Sequence, residues 1–341
     1  MVMAGAEEGG LENHVVALSN QLSKNHQVQV IAHAKFRDRL QPRVIFLAAP
    51  MESGRRDLIL KIHLIRLLKG LSPDLIHAHG NKAAALLSSI RRWLKCPCIG
   101  TLHSQKRNVK MFEKMDGVIG VSDGVLENLE HSNKRRIYNG IDLYEGPAFC
   151  SERLLADWRL PAGRKLCMTV GRLVPVKGFA SLIKAWQRID HNLVILGDGQ
   201  ERENLQRLAC KTGVEDRICF AGYRDDLRAI LPAADILIIS SEREGFNMVM
   251  AEALMASVPV VSTRVAGPRE ILPDQYLCEP SDIAALAEIV KTTLAQIQEA
   301  QRIFKPVFQR ARTQFVTEVM LEQTQAFYQE VLIAGQGDCV E

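Results

Sequence analysis

The sequence predicts an α/β protein built from two doubly wound parallel-sheet domains. Short strand-like runs alternate with segments of helical period along the chain, and these runs are apolar almost throughout. Strands that helices cover on both faces have this continuous apolar pattern. The 341 residues, 47% of them hydrophobic, suffice for two such domains of about 150 residues each.

The first domain is predicted to span residues 1–147. Its expected strands are Met1–Ala4, Val28–His33, Val44–Leu47, Leu75–Ala78, Ile99–Leu102 and Val118–Val121. Its expected helices are Glu12–Ser23, Leu58–Leu71, Ala83–Leu94 and Asp123–Leu129. Because helices alternate with strands, successive strands are expected to run parallel.

The second domain is predicted to span residues 148–316 and to repeat the pattern. Its expected strands are Leu166–Val170, Leu193–Leu196, Ile218–Phe220, Ile236–Ile239 and Val258–Ser262. Its expected helices are Phe179–Arg188, Glu201–Thr212, Leu227–Ala233, Met248–Met255 and Ile283–Gln298. The join is expected within Tyr144–Leu160, and an amphipathic helix, Thr317–Ile333, follows the domain.

Charge is distributed unevenly between the two predicted domains. Residues 1–147 carry 21 Lys/Arg and 14 Asp/Glu, a net charge of +7, and the remainder carries −3, which gives the overall +4. A basic first domain favours an anionic partner there. Basic residues interleaved with stacking aromatics do not occur, so a nucleic-acid partner is not expected.

Composition also bears on the expected compartment. No apolar run reaches the roughly 18 residues of a membrane-spanning helix, and the start lacks the pattern of a secretion signal. The eight cysteines are scattered without zinc-site spacing, which favours free thiols in a reducing cytoplasm. We therefore expect a cytoplasmic protein, with peripheral contact to the cytoplasmic membrane face left open.

In parallel sheets, ligands bind beyond the carboxyl ends of the strands. After the first strand, Gly9 and Gly10 open a helix, whose free N–H groups suit an anion, although an ordinary turn is equally compatible. After Leu166–Val170 come Gly171 and Arg172, with Lys177 five residues later. A guanidinium and an ammonium there can neutralise a diphosphate without a metal, although two solvated loop cations are the simpler alternative.

The strongest motif follows the strand Ile236–Ile239. Glu244 lies in the loop and Glu252 two turns into the next helix, so both carboxylates can face one side. Two acids beside a helix N-terminus suit a ligand with several hydroxyls and a phosphate, because carboxylates accept from hydroxyls and backbone amides donate to phosphate. Surface charge is the alternative interpretation.

The Gly9-Gly10 opening, Gly171-Arg172 with Lys177, and the Glu244-x7-Glu252 pair occur in this order along two α/β halves. In this the chain resembles retaining glycosyltransferases of family 4, among them bacterial envelope polysaccharide and lipopolysaccharide enzymes. The resemblance implies a GT-B fold, in which two Rossmann-like domains face each other across a cleft. It also implies that the final helix crosses back to the first domain.

The resemblance assigns roles to individual residues. Arg172 and Lys177 would hold the donor diphosphate, Glu244 the sugar hydroxyls and Glu252 the ribose. The backbone at Gly171, Phe246, Asn247 and Met248 would lie against sugar and phosphates, with Gly10 facing them from the first domain. Asn247 stands where the family usually has glycine, which reshapes the expected sugar pocket.

His103, at the end of the strand Ile99–Leu102, matches the family's active-site histidine. The resemblance thus makes His103, Glu244, Arg172 and Lys177 the catalytic candidates. Lys106, Arg107 and Lys110 follow and are candidates for steering an anionic acceptor. Arg55, Arg56 and Lys61 are candidates for contact with anionic lipid. Solvated surface charge remains the alternative for both basic clusters.

The expected enzyme is a metal-independent hexosyltransferase with no permanently bound cofactor. It would move a sugar from a nucleotide sugar, a UDP-sugar being favoured over a GDP-sugar, to a hydroxyl of a glycan or glycolipid. Bacterial lipopolysaccharide or polysaccharide synthesis is the favoured setting. In the retaining mechanism that the resemblance implies, the donor phosphate receives the acceptor proton. A nucleotide-sugar epimerase and a non-catalytic nucleotide-binding relative are the alternatives.

Overall fold

The computed structural model of the chain describes residues 1–4 and 9–337, with side chains as far as residue 335. The chain divides into two compact units. Unit 1 comprises Met1–Gly140 and Thr317–Glu341, and unit 2 comprises Ile141–Val316. The domain limits at residues 147 and 316 stay a prediction.

Within the described residues, the sheet of unit 1 has seven parallel strands in the order β3-β2-β1-β4-β5-β6-β7. They are β1 (Val2–Met3), β2 (Gln29–Ala32), β3 (Ile45–Ala48), β4 (Ile76–His79), β5 (Cys98–Leu102), β6 (Gly117–Gly120) and β7 (Lys134–Arg136). The helices are α1 (Gly10–Leu22), α2 (Leu58–Leu71), α3 (Gly80–Ile90), α4 (Asp123–Leu126) and the last helix, α13 (Thr317–Gly337).

The sheet of unit 2 has six parallel strands, all described, in the order β10-β9-β8-β11-β12-β13. They are β8 (Leu166–Val170), β9 (Asn192–Leu196), β10 (Ile218–Gly222), β11 (Ile236–Ile239), β12 (Val260–Thr263) and β13 (Leu277–Cys278). The helices are α5 (Ser151–Asp157), α6 (Phe179–Trp186), α7 (Arg202–Thr212), α8 (Leu227–Ile230), α9 (Met248–Met255), α10 (Pro268–Ile271), α11 (Ile283–Ala295) and α12 (Ile297–Gln314).

The core of unit 1 is built from both of its chain segments. Leu18 of α1 and Val30 of β2 share one apolar cluster with Phe327 and Val331 of α13. Phe327 is fully buried, and burying such a ring contributes about 1.5–3 kcal/mol to folding. The last helix is therefore a structural part of unit 1.

Most predicted elements are present, and the strands and α-helices that were not predicted are β7, β13, α5, α10 and α12. β7 consists of three basic residues, Lys134–Arg136, and so carries no apolar signal. α12 was missed because it contains Pro306, which favours a helix end, and α5 lies inside the predicted join. The seven described cysteines are free, as expected, and Cys339 lies outside the described residues.

Candidate active site

Two loops of unit 2 meet at the carboxyl edge of its sheet. One follows β8 and contains Gly171 to Gly178, and the other follows β11 and begins at Ser240. The Glu242 amide donates to the Val176 carbonyl at 2.9 Å, and the Ser240 hydroxyl donates to the Lys177 carbonyl at 2.9 Å. Because β8 and β11 are neighbours in the sheet, the two motifs found in the sequence form one surface.

Lys177 and Glu244 form the centre of this surface. Lys177 Nζ lies 2.6 Å from Glu244 Oε1, which also accepts from Ser241 Oγ at 2.8 Å and Asn247 Nδ2 at 3.1 Å. The Glu244 side chain is 11% exposed. Its second oxygen, Oε2, accepts no hydrogen bond from the described residues. One oxygen is thus anchored, while the other can accept from a ligand hydroxyl.

Asn247 connects the loop to helix α9. Its side-chain oxygen accepts from the Met250 amide at 2.8 Å as the N-cap of α9, while its amide nitrogen donates to Glu244. Its φ of 69° lies in the region that favours glycine, although asparagine tolerates positive φ better than most residues. Asn247 therefore takes the backbone conformation expected of glycine and adds two hydrogen bonds that glycine could not make.

Glu252, the second acid of the motif, lies on α9 and pairs with a different cation. Arg228 Nε, from α8, lies 3.2 Å from Glu252 Oε1, and Arg228 also donates to the Asp142 carbonyl at 3.2 Å. Burial raises the pKa of Glu252 above its usual value, and the neighbouring Arg228 opposes that rise. A buried acid with a raised pKa is a common mark of a functional site.

The remaining candidates of unit 2 lie on the same loops. Gly171 directly follows β8, and a Cβ added there would be 3.5 Å from Lys177 Cε, so the lysine stem passes over the glycine. Arg172 is the next residue of this loop. The Phe246 side chain is buried against Phe315, with ring centroids 5.1 Å apart, so its ring is part of the core and not of the ligand surface. Met248 is the first residue of α9, where backbone N–H groups can bind a phosphate.

In unit 1, three histidines lie together near the carboxyl edge of the sheet. Helix α1 begins at Gly10 and carries His14, His79 ends β4, and His103 directly follows β5. His79 Nδ1 lies 3.4 Å from His103 Nε2. Burial lowers the pKa of His14 to about 4, against a smaller opposite effect of Asn139, and lowers the pKa values of His79 and His103 well below the usual value. These imidazoles are therefore neutral at pH 7.

His77 has a structural environment and not a ligand-binding one. It lies inside β4, where Nδ1 hydrogen-bonds the Tyr328 hydroxyl at 2.5 Å and Nε2 the Thr101 hydroxyl at 2.6 Å. Both ring nitrogens are used. His14, His79 and His103, by contrast, form a group whose ligand nitrogens all lie within 4.8 Å of one another.

The predicted acceptor-steering cations, Lys106, Arg107 and Lys110, are exposed in the loop that follows His103. Exposed cations attract anions from solution but contribute little to stability. Their position is compatible with the role expected of them, which stays a prediction.

Sequence reasoning missed Arg228 and the grouping of the three histidines. Arg228 is 24 residues from its partner Glu252 and lies in no recognised motif. The histidine group had a usable signal, because His79 ends β4, His103 directly follows β5, and His14 lies in the helix that follows β1, and these three strands are adjacent. That adjacency follows from the strand order, which the sequence does not state.

Comparisons with known proteins agree with these motifs. Residues 8–145 match the family model described as Glycosyltransferase Family 4, and residues 151–306 match Glycosyl transferases group 1. The lipopolysaccharide core biosynthesis glycosyltransferase LpsE of Rhizobium meliloti (strain 1021) is 31% identical over 277 residues, which are 79% of this chain and 79% of that protein. The chain belongs to glycosyltransferase family 4. N-acetyl-alpha-D-glucosaminyl L-malate synthase of Bacillus anthracis is 28% identical over 64% of this chain and 61% of its own.

Solved structures of similar fold include Anabaena Alr3699/HepE in complex with UDP and glucose. It aligns with a TM-score of 0.82 at 20% identity and covers 96% of this chain and 99% of its own. WaaG, a glycosyltransferase involved in lipopolysaccharide biosynthesis, aligns with a TM-score of 0.74 at 17% identity, covering 96% and 99%. The predicted GT-B fold class, the family and the assignment as a glycosyltransferase enzyme are thereby confirmed.

Among the described helices, none is both long and apolar enough to cross a bilayer.

Proposed function

We propose that this glycosyltransferase acts with retention on a nucleoside diphosphate sugar, with a UDP-sugar as donor, and glycosylates a hydroxyl of a lipopolysaccharide core or envelope polysaccharide. The observation that carries this is the pair Lys177–Glu244, 2.6 Å apart, with Glu252 on the adjoining helix. The nucleotide in the HepE complex and the lipopolysaccharide core assignment of LpsE support the donor and the acceptor class.

The surroundings of Lys177 suit diphosphate binding. When its ammonium turns to a diphosphate, Glu244 keeps the hydrogen bonds from Ser241 and Asn247, so the carboxylate is not left buried without partners. Glu244 Oε2 then accepts from a sugar hydroxyl, and Glu252 Oε2 accepts from the ribose. Lys177 and Arg172 stabilise the charge that develops on the departing nucleoside diphosphate.

The reaction breaks the bond between the sugar anomeric carbon and the diphosphate oxygen and forms one to the acceptor oxygen. The acceptor proton passes to the departing phosphate oxygen, so no protein base is needed. His103, neutral at pH 7, is the candidate of unit 1 for hydrogen bonding to the transferred sugar. Lys106, Arg107 and Lys110 attract an acidic, phosphorylated acceptor.

The test is sugar transfer by the purified chain with UDP- and GDP-sugars and lipopolysaccharide core acceptors, with the product anomer assigned by NMR. Lys177→Gln is expected to lower kcat by about 10²–10³, as loss of one charge-stabilising donor does. Lys184→Gln, on the exposed side of α6, is the matched control and is expected to leave kcat unchanged. An inverted product, or epimerised UDP-sugar without acceptor, contradicts the proposed reaction.

Helix α2 supports peripheral binding to an anionic membrane face, where lipid-linked acceptors occur. Leu58, Ile59 and Ile62 are 71%, 81% and 50% exposed, and no acidic residue lies between Leu58 and Ser72. Arg55 and Arg56 precede the helix, and Lys61 lies one turn along it. An apolar patch flanked by cations suits an anionic lipid surface, with about 1 kcal/mol per cation.

Co-sedimentation with vesicles separates this contact from transfer. Vesicles with 30% anionic lipid are expected to bind the chain, and Ile59→Asp is expected to weaken that binding at least about tenfold, because it places an anion in the patch. Tyr223→Asp is the control, since Tyr223 is 79% exposed in unit 2. Equal binding to neutral vesicles, or equal loss in both variants, contradicts a role for α2.

A further inference from the structure

The three histidines His14, His79 and His103 form a nearly equilateral group. Their ring centroids are 5.5 Å apart for His14–His79, 4.9 Å for His14–His103 and 5.6 Å for His79–His103. All three belong to unit 1 and are held by separate elements, α1, β4 and the end of β5. Each ring therefore has an independent anchor, which is what a preformed ligand set requires.

Two ring nitrogens of this group have no hydrogen-bond partner among the described residues. They are His14 Nδ1 and His79 Nε2, and both residues are at least nine-tenths buried. A buried polar atom without a partner costs about 1–3 kcal/mol. The cost at His14 Nδ1 indicates that the site takes a ligand, whereas at His79 the nitrogen that lies 3.4 Å from His103 is Nδ1 and not the unpartnered Nε2.

The spacing fits a tetrahedral metal ion. At metal–nitrogen distances of about 2.1 Å, two ligand nitrogens lie about 3.4 Å apart and two imidazole centroids about 5 Å apart. The observed separation of His79 Nδ1 and His103 Nε2 is 3.4 Å, and the centroid distances lie near the second value. The ligand nitrogens all lie within 4.8 Å, so the furthest pair closes by at most about 1.4 Å, which small ring rotations supply.

We propose that His14, His79 and His103 bind one divalent late first-row transition metal ion, such as Zn²⁺, as three imidazole ligands with a fourth position open to water. Neutral imidazole is the form that binds these metals. Mg²⁺ prefers oxygen ligands, and this group of nitrogen ligands contains no carboxylate, so Mg²⁺ is not expected to bind at this site.

The effect of a bound metal ion on sugar transfer rests on the proposed function. His103 then gives a ring nitrogen to the metal and cannot place that nitrogen against the transferred sugar. The metal ion is therefore an inhibitor of sugar transfer and not a cofactor. Micromolar Zn²⁺ is expected to lower the transfer rate, and EDTA to restore it.

The direct test is isothermal titration of the untagged, chelator-treated full chain with Zn²⁺ and with Mg²⁺. One Zn²⁺ ion is expected to bind with micromolar affinity or better, and Mg²⁺ is not expected to bind at the histidines. His14→Gln, His79→Gln and His103→Gln are each expected to weaken Zn²⁺ binding at least about 100-fold, because loss of an outer-shell partner alone costs 10- to 100-fold. His63→Gln, exposed on α2, is the matched control.

Co²⁺ absorption provides a readout that does not depend on variants that could misfold. Intense visible bands of tetrahedral Co²⁺ in the wild-type chain are expected, and the weak spectrum of octahedral Co²⁺ overturns the proposed site. Zn²⁺ affinity that is unchanged in all three variants also overturns it. If Zn²⁺ binds as described but transfer continues at the same rate, the metal site stands and the proposed role of His103 fails.

Discussion

At the scale of single residues, the two acids of the Glu-x7-Glu motif differ in their surroundings. Among the described residues, Glu244 is held by one cation and two neutral donors, whereas Glu252 is held by Arg228. Burial raises the pKa of Glu252. The folded state therefore retains the Glu252 proton more strongly than the unfolded state, and its ionisation opposes folding.

Replacement of Glu252 tests whether its ionisation opposes folding. A carboxyl with a raised folded pKa contributes stability at low pH that is lost as pH rises from its ordinary value of 4.5 through the folded value. The unfolding free energy of Glu252→Gln minus that of wild type is therefore expected to rise between pH 4 and pH 7. UDP is expected to raise the melting temperature of the variant by less than it raises that of wild type. Urea titrations at several pH values measure it. Glu203→Gln, exposed on α7, is the control and is expected to show no such trend.

Asn247 gives a second prediction at this scale. Asn247→Ala removes the N-cap of α9 and leaves a Cβ at a φ of 69°, so we expect a loss of about 2 kcal/mol. Asn247→Gly removes the cap but tolerates the φ, and is expected to lose about 1 kcal/mol less. Urea denaturation followed by circular dichroism compares the two. Equal losses contradict strain at this position.

Residue spacing paired Glu244 with Glu252, and the family resemblance grouped Lys177 with them; in the structure Lys177 forms an ion pair with Glu244. Residue spacing could not predict Arg228, because pairing across α8 and α9 depends on how two helices pack. The positive φ of Asn247 was also not readable, since asparagine adopts ordinary conformations in most contexts.

At the scale of elements, the loops after β8 and β11 depend on close backbone approach. Gly178 has a φ of 67°, and a Cβ added there would lie 1.9 Å from the Ser240 carbonyl oxygen. The loop that carries Lys177 can therefore contact the loop that carries Glu244 only if residue 178 lacks a side chain.

Gly178→Ala tests this contact against a control with the same φ. Gly213, also at a φ of 67°, has no atom within 4 Å of an added Cβ. Gly213→Ala is expected to cost about 1–2 kcal/mol from backbone strain alone, and Gly178→Ala at least about 3 kcal/mol. Only Gly178→Ala is expected to weaken UDP binding, measured by calorimetry. Equal UDP affinity in both variants contradicts the importance of the contact.

Elements with strong apolar periodicity were predictable, and α2 and α9 begin and end where expected. Elements without that signal were not. β7 is recognisable only through its pairing with β6, and the continuation of α12 beyond Pro306 depends on burial of Phe304 and Phe308. Tertiary contacts override local preference in both cases.

At the scale of the whole molecule, the two units are expected to differ in their response to acid. Burial lowers the pKa of His14 to about 4, with Asn139 opposing, and it lowers the pKa values of His77, His79 and His103 well below the usual 6.5. Groups with lowered folded pKa values contribute stability above pH 6.5 that is lost as pH falls through that value. Among the described residues, unit 2 contains one histidine, His191, whose pKa burial also lowers, and the raised pKa of Glu252 acts in the opposite direction.

Hydrogen exchange from pH 7 to pH 5, with a chelator present, measures this difference. Amides of β4 and β5 are expected to lose protection relative to those of β8 and β9. By pH 5, the lowered pKa of His14 alone corresponds to a loss of about 2 kcal/mol. His14→Gln is expected to flatten the trend in unit 1. Parallel loss of protection in both units contradicts the expectation.

The placement of α13 has a consequence for synthesis on the ribosome. Residues 1–140 emerge first, yet the cluster around Leu18 and Val30 is completed only by Phe327 and Val331, and His77 reaches Tyr328 only then. Nascent chains thus expose an unfinished apolar surface while all of unit 2 is being translated. We expect chains released before Thr317 to be degraded faster than the full chain, because unit 1 is completed by a helix that is made after unit 2.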